Sequence, residues 1–249
     1  MTAALPDRIP TDSLSYRSDD PRQRLIVALD VSSAAAAQKI VAAVGDSALT
    51  YKVGMQLYTA VGPQIVRDLV ASGRRVFLDL KYHDIPNTVG AAVAEAEKLG
   101  VSMLTIHAAG STKMVRAAVE AAKVRPDLMV LAVTVLTSMD GHDLETIGIR
   151  GSMEDSVVRL ATIALRQGCQ GVVTSAREAF TLRAELGDRF AIVTPGVRPA
   201  GSGVADQVRV VTPAEAIASG ASHIVVGRPI TEAADPAAEA RAILGQIRG

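Results

Sequence analysis

Val76-Phe77-Leu78-Asp79-Leu80-Lys81-Tyr82-His83-Asp84-Ile85-Pro86-Asn87-Thr88-Val89 is the stretch that decides the fold. It opens as a buried strand, with Val76, Phe77, Leu78 and Leu80 apolar. Side chains alternate along a strand, so Asp79 and Lys81 point to the same side. A carboxylate and an ammonium at the end of an apolar strand are costly to bury unless they pair. Ile85-Pro86 then ends the strand and starts a helix, whose first turn accepts proline. Charges at the C-terminal end of a parallel strand sit where α/β enzymes keep their chemistry. A structural ion pair would give the same Asp-x-Lys pattern, so these two residues alone leave both readings open.

Strand-like and helix-like segments alternate on both sides of this stretch. The expected strands are 25–30, 49–54, 75–81, 102–107, 128–134, 171–174, 190–194 and 223–227. Ala-rich amphipathic stretches lie between them, at 34–44, 64–72, 89–99, 113–123, 155–167 and 176–186. Continuously apolar strands imply burial on both faces of a parallel sheet. Eight such βα units imply an α/β fold of the (β/α)8 TIM barrel kind, with an open doubly wound sheet as the alternative. Residues 1–24 are polar and contain proline, and they read as a loosely held N-terminal extension before a single barrel domain at 25–249.

Composition narrows the class. The chain has 249 residues and is 49% hydrophobic, enough for one sizeable core. Lys+Arg and Asp+Glu are both 26, so net charge gives no reason to expect nucleic acid or an anionic membrane as partner. The single cysteine, Cys169, excludes an intramolecular disulfide and a cysteine zinc cluster, and its apolar neighbours mark it as a core thiol. The first residues, MTAALPDRIP, lack the apolar core of a signal peptide. No apolar run reaches the roughly 20 residues needed to span a bilayer. The expectation is a soluble cytoplasmic protein.

A barrel predicts that polar residues at the C-terminal strand ends converge. They occur there: Asp30 on the first strand, Lys52 on the second, Asp79 and Lys81 on the third and His107 on the fourth. Thr137-Ser138 follows the fifth, Thr194-Pro195-Gly196-Val197-Arg198 ends the seventh and Gly227-Arg228 ends the eighth. His107 alone would read as a core histidine and Thr137 alone as a turn residue, but their shared placement favours a site. The loops after the last two strands often hold phosphate in such barrels. Gly227 would let backbone approach an anion, and Arg228 offers a bidentate fork. The segment 196–207 reads as a lid.

These residues resemble the orotidine 5′-phosphate decarboxylase family. The similarity runs through ALDV at 28–31, YKVGMQLY at 51–58, FLDLKYHDIPNTV at 77–89 and HAAG at 107–110. It continues through VTVLTS at 133–138, TPGVRP at 194–199, DQVRVVTP at 206–213 and IVVGRPIT at 224–231. The resemblance implies conversion of orotidine 5′-phosphate to uridine 5′-phosphate (UMP) and CO2, the last step of pyrimidine nucleotide synthesis, with no cofactor and no metal. It implies an alternating charge array of Lys52, Asp79, Lys81 and Asp84. It also implies a homodimer in which Asp84 and Thr88 come from the partner subunit. Asp30, Lys52 and Thr88 would serve the ribose and Thr137 the pyrimidine. Arg198, Gln207, Gly227 and Arg228 would serve the phosphate and the lid.

Three other readings stand beside it. A magnesium-dependent sugar-phosphate decarboxylase or aldolase of the same barrel class shares the Asp-x-Lys-x-x-Asp core. An inert barrel that only binds phosphate would tolerate an incomplete array, but here all four charges are present. A Schiff-base aldolase needs a neutral lysine, whereas flanking carboxylates keep Lys81 protonated.

Overall fold

Each of the expected apolar runs becomes a strand with a parallel neighbour on either side. The structure, a computed structural model, describes residues 18–199 and 211–247. Strands β1 (Leu25–Ala28), β2 (Thr50–Gly54), β3 (Arg75–Tyr82) and β4 (Met103–His107) are followed by β5 (Met129–Val133), β6 (Gly171–Val173), β7 (Ala191–Thr194) and β8 (His223–Val226). They close in chain order into a barrel. Ile26 pairs with Thr50 on one side and with Val225 on the other, which excludes the open sheet.

The six expected helices surround the barrel at Ala34–Val44, Gln64–Ala71, Pro86–Lys98, Ser111–Ala122, Met153–Arg166 and Ala176–Leu186. Their starts follow from capping chemistry: Ser33 and Ser152 each accept a backbone N–H in the first turn. A further helix, Pro236–Gln246, packs against Ala34–Val44. Just before β1, Pro21–Arg24 form one helical turn. The Arg24 guanidinium donates to the carbonyls of Ser222, Ala221 and Ile247.

Alternation divides the core into two shells. Ile26, Phe77, Met103, Leu131, Val173 and Val193 fill the barrel. Leu25, Val27, Tyr51, Val53, Leu104 and Ile106 face the helices. Fully burying such a side chain contributes roughly 1.5–3 kcal/mol, so both shells stabilise the closed ring. The inner shell tapers at β6, where a Cβ on Gly171 would lie 2.4 Å from the Ala191 carbonyl oxygen. Glycine there lets β6 and β7 pair without a clash.

His223, the first residue of β8, is buried, and its Nδ1 has no hydrogen-bond partner. Burial pushes its pKa down to about 3, and the guanidiniums of Arg75 and Arg24 act in the same direction. In the unfolded chain the imidazole titrates near its usual value of about 6.5. Below that pH the unfolded state binds the extra proton, so the fold is stabilised above about 6.5 and loses stability as pH falls toward 3. The expected contribution is a slope of up to about 1.4 kcal/mol per pH unit. Urea unfolding of the wild type and of His223→Gln across pH 4 to 7 measures it, and the variant should show the shallower dependence. Equal slopes would assign the acid sensitivity to other groups.

Candidate active site

The barrel mouth is built from the ends of β2, β3 and β4. Lys52 and Asp79 occupy inward positions of β2 and β3, so strand geometry aims both over the same apolar plug. Lys52 Nζ lies 2.8 Å from Asp30 Oδ1 and 3.9 Å from Asp79 Oδ2. Lys81 Nζ lies 2.9 and 3.0 Å from the two Asp79 oxygens. The result is an unbroken chain of alternating charge, Asp30–Lys52–Asp79–Lys81. Its centre is sheltered: the side chains of Lys52 and Asp79 are 12% and 13% exposed, against 56% for Asp30. Sheltered charges are tolerated when each has an opposite neighbour, and removing one leaves another uncompensated.

Lys52, Asp79, Lys81 and Thr137 line a pocket of about 170 Å³ whose remaining wall includes Phe77, Val133, Val173 and Val225. It is therefore polar on the β2–β3 side and apolar on the opposite side. A wider hollow of about 530 Å³ lies at the N-terminal face of the barrel, near Asp20, Arg22 and Asp46. Its two carboxylates are paired, Asp20 with Arg22 and Asp46 with Arg74, and Arg241 also lines it. That hollow lacks the concentration of facing charges found at the mouth.

The other expected residues divide into two groups. Gly227 and Arg228 stand at the end of β8, where Arg228 opens a helical turn, Arg228–Thr231. Arg198 is buried, and its backbone N–H donates to the Val211 carbonyl at 3.0 Å. Asp84 and Thr88 do not join the array within the chain. Both are exposed, and the Asp84 carboxylate accepts the Ile85 N–H at 2.6 Å. Gln207 and most of the expected lid lie outside the described residues.

Three features at the mouth escaped sequence reasoning. The first is Gly54, where a Cβ would lie 2.9 Å from Lys52 Nζ and 3.2 Å from Asp30 Oδ1. The glycine at the end of β2 makes room for that ion pair, and its place just past Lys52 was the available signal. The second is a bulge in β3. Leu78 pairs with Leu104 but Tyr82 pairs with Ile106, so four steps on β3 match two on β4. Lys81 lies in this bulge with φ 52°. The third is Thr105, a fully buried polar residue at an inward position of β4. Beyond it on the same strand, the His107 ring lies 5.3 Å from that of His83. Burial lowers the His107 pKa, and His83 and Lys81 lower it further against the opposing charge of Asp79.

Residues 23–243 match the orotidine 5′-phosphate decarboxylase / HUMPS family. The chain belongs to that family. The orotidine 5′-phosphate decarboxylase of Afipia carboxidovorans is 51% identical over 228 residues, covering 92% of this chain and 96% of that protein. The Moorella thermoacetica protein of the same name is 49% identical over 233 residues, covering 91% and 92%. The solved orotidine 5′-phosphate decarboxylase of Lactobacillus acidophilus superposes with a TM-score of 0.81 at 37% identity, covering 90% of this chain and 99% of that one. The Pyrococcus horikoshii structure of the same name gives 0.75 at 26% identity, with the same coverage. Membership in the decarboxylase family gives the charged mouth its context.

The space at Gly54 is testable. Gly54→Ala should push the Lys52 ammonium off Asp30 and lower kcat/KM by about tenfold or more, the equivalent of roughly 1.4 kcal/mol. Thermal unfolding should move little, because the added methyl faces the mouth and not the packed core. Unchanged kinetics would show that Lys52 adapts and that the glycine is not required.

Proposed function

We propose that the chain removes CO2 from orotidine 5′-phosphate to give UMP, and that the charge array at the barrel mouth performs the reaction without metal or cofactor. The observation that carries this reading is the unbroken chain Asp30–Lys52–Asp79–Lys81 in a protein about half identical to named decarboxylases over nine-tenths of its length.

Loss of CO2 breaks the bond from C6 to the carboxylate and leaves the electron pair on C6. Ring conjugation drains that pair poorly, so the site must stabilise a localised carbanion. The Lys81 ammonium, fixed beside C6, stabilises the developing charge and then donates its proton there. Solvent later returns a proton to the Lys81 amine. Asp79 lies next to the departing carboxylate, where like charge raises the bound ground state relative to the transition state. Lys52 and Asp84 hold the array rigid. Asp30, Lys52 and Thr88 position the ribose, and Thr137 contacts the pyrimidine. Arg198, Gln207, Gly227 and Arg228 hold the phosphate, whose remote binding energy offsets the unfavourable contact at the carboxylate.

The site is completed across a homodimer interface, with Asp84 and Thr88 supplied by the partner subunit. Support comes from their exposure on one chain and from the exposed apolar neighbours Met55 and Ile85, which are 56% and 66% accessible. Exposed apolar side chains of that size suit a surface that a partner covers. Among the described residues no helix is long and apolar enough to cross a membrane, in keeping with a cytoplasmic enzyme. A magnesium-dependent sugar-phosphate enzyme is the second reading, and the names of the half-identical relatives do not favour it.

An absorbance assay with orotidine 5′-phosphate tests the reaction. The purified protein should decarboxylate it at a rate that excess chelator leaves unchanged. Loss of activity on chelation, restored by magnesium, would move the chain to the metal-dependent reading.

The shared site has its own test. Lys81→Ala and Asp84→Ala should each be nearly inactive alone. When the two are unfolded and refolded together, about half the dimers are mixed by random pairing, and each mixed dimer has one intact site. Roughly a quarter of wild-type activity should return, by the symmetry of a two-fold interface. A mixture as inactive as its parents, with subunit exchange confirmed by mass, would place Asp84 in its own subunit's site.

A further inference from the structure

Thr105 pairs with Leu131 on β5, but on its β3 side the ladder skips it. The bulge in β3 removes Lys81 from regular pairing with β4, because Leu78 and Tyr82 take the flanking partners Leu104 and Ile106. The Lys81 N–H therefore has no β4 carbonyl in register. It donates to Thr105 Oγ1 at 2.9 Å. The Thr105 hydroxyl in turn donates to Asp79 Oδ1 at 2.9 Å. A backbone N–H can only donate, so the hydroxyl must accept there, and its one proton is committed to the carboxylate. Thr105 is 0% exposed, so water does not compete for either bond.

The backbone at Lys81 raises the stakes. Its φ of 52° lies in the left-handed region, which a residue with a Cβ keeps only where its surroundings hold it there. One hydroxyl thus fixes both members of the central ion pair: the lysine through its backbone and the aspartate through its carboxylate oxygen. We infer that Thr105 is a positioning residue for the decarboxylation. It locks the left-handed bend at Lys81 and the orientation of Asp79, so that ammonium and carboxylate are set before substrate arrives. The inference rests on the reading of Asp79 and Lys81 as the reacting pair.

Thr105→Val keeps the shape and removes the hydroxyl, while Thr105→Ser keeps the hydroxyl and removes the methyl. The Val protein should lose about tenfold or more in kcat, with KM and the affinity for UMP within about threefold of wild type. UMP carries no C6 carboxylate, so its binding reports whether the pocket is intact apart from the reacting pair. The Ser protein should retain kcat within about threefold of wild type. A Val protein with wild-type kcat would overturn the inference, as would a Ser protein as slow as the Val protein. Loss of UMP affinity in parallel with kcat would make Thr105 a structural residue only. Should the Val protein fail to fold, Thr105→Ala compared with Thr105→Ser answers the same question. Lys81→Ala, assayed alongside, separates the two levels. If it keeps near-normal turnover, the reading of the reacting pair fails; if it is inactive and Thr105→Val is normal, only the role of Thr105 fails.

Discussion

Asp79 is held between two ammoniums, and the rest of the mouth is arranged around that fact. A carboxylate with little exposure is tolerable only if its charge is answered at close range. Lys81 answers it at 2.9 Å and Lys52 at 3.9 Å, and Lys52 is answered in turn by Asp30 at 2.8 Å. Each further feature of the mouth serves this chain of contacts. Gly54 vacates the space where the Lys52–Asp30 pair sits, the bulge in β3 sets the backbone of Lys81, and Phe77 closes the pocket below. Such an array is weak evidence for stability, since apolar replacements of ion pairs often cost nothing. Its presence is better explained by what it does to a substrate.

The barrel was legible because of its topology. A parallel barrel strand is buried on both faces, so it appears as an apolar run without alternation, and eight such runs were countable. Their polar ends also had to meet, which is why Asp30, Lys52, Asp79, Lys81 and Thr137 could be grouped before any contact was seen. The boundaries of β1 illustrate the limit. Asp30 lies two residues beyond the last strand residue, Ala28, yet the Leu29 N–H still donates to the Lys52 carbonyl and carries the chain toward the mouth.

Other details were not legible, for a physical reason. A bulge is decided by the register between two strands, and no local preference of Lys81 announces it. Lysine has no tendency toward positive φ, and the cross-strand contact that meets the bend is the Lys81 N–H to the Thr105 hydroxyl. Gly54 was visible as a glycine but not as a gap, because the gap exists only once two side chains from β2 and the end of β1 arrive there. Asp84 entered the array through the family resemblance, as a residue of the partner subunit, and not through its place on the strand. Within one chain its carboxylate turns back to the Ile85 N–H.

The two sides of the mouth are built differently, and the difference suits their tasks. Lys52 is borne on a strand paired on both sides, and Asp79 and Lys81 on β3, where the Thr105 hydroxyl takes the place of the β4 ladder at the bulge. Arg198 and Arg228 are borne on the segments that follow β7 and β8. Loops displayed by a rigid scaffold are where proteins place groups that capture and adjust. Arg198 is nonetheless anchored, since Val197 pairs with Val211 and the Arg198 N–H bonds to the Val211 carbonyl. The backbone at Arg198 is therefore held by a cross-link to Val211. A reaction with no electron sink needs charges that do not reorganise as the carbanion forms, because reorganisation is what makes the same charges ineffective in water. A phosphate far from C6 needs only to be held. On the proposed reading, strands lie under the reacting bond and the segments after β7 and β8 around the phosphate, so the two needs are met by separate parts of the mouth.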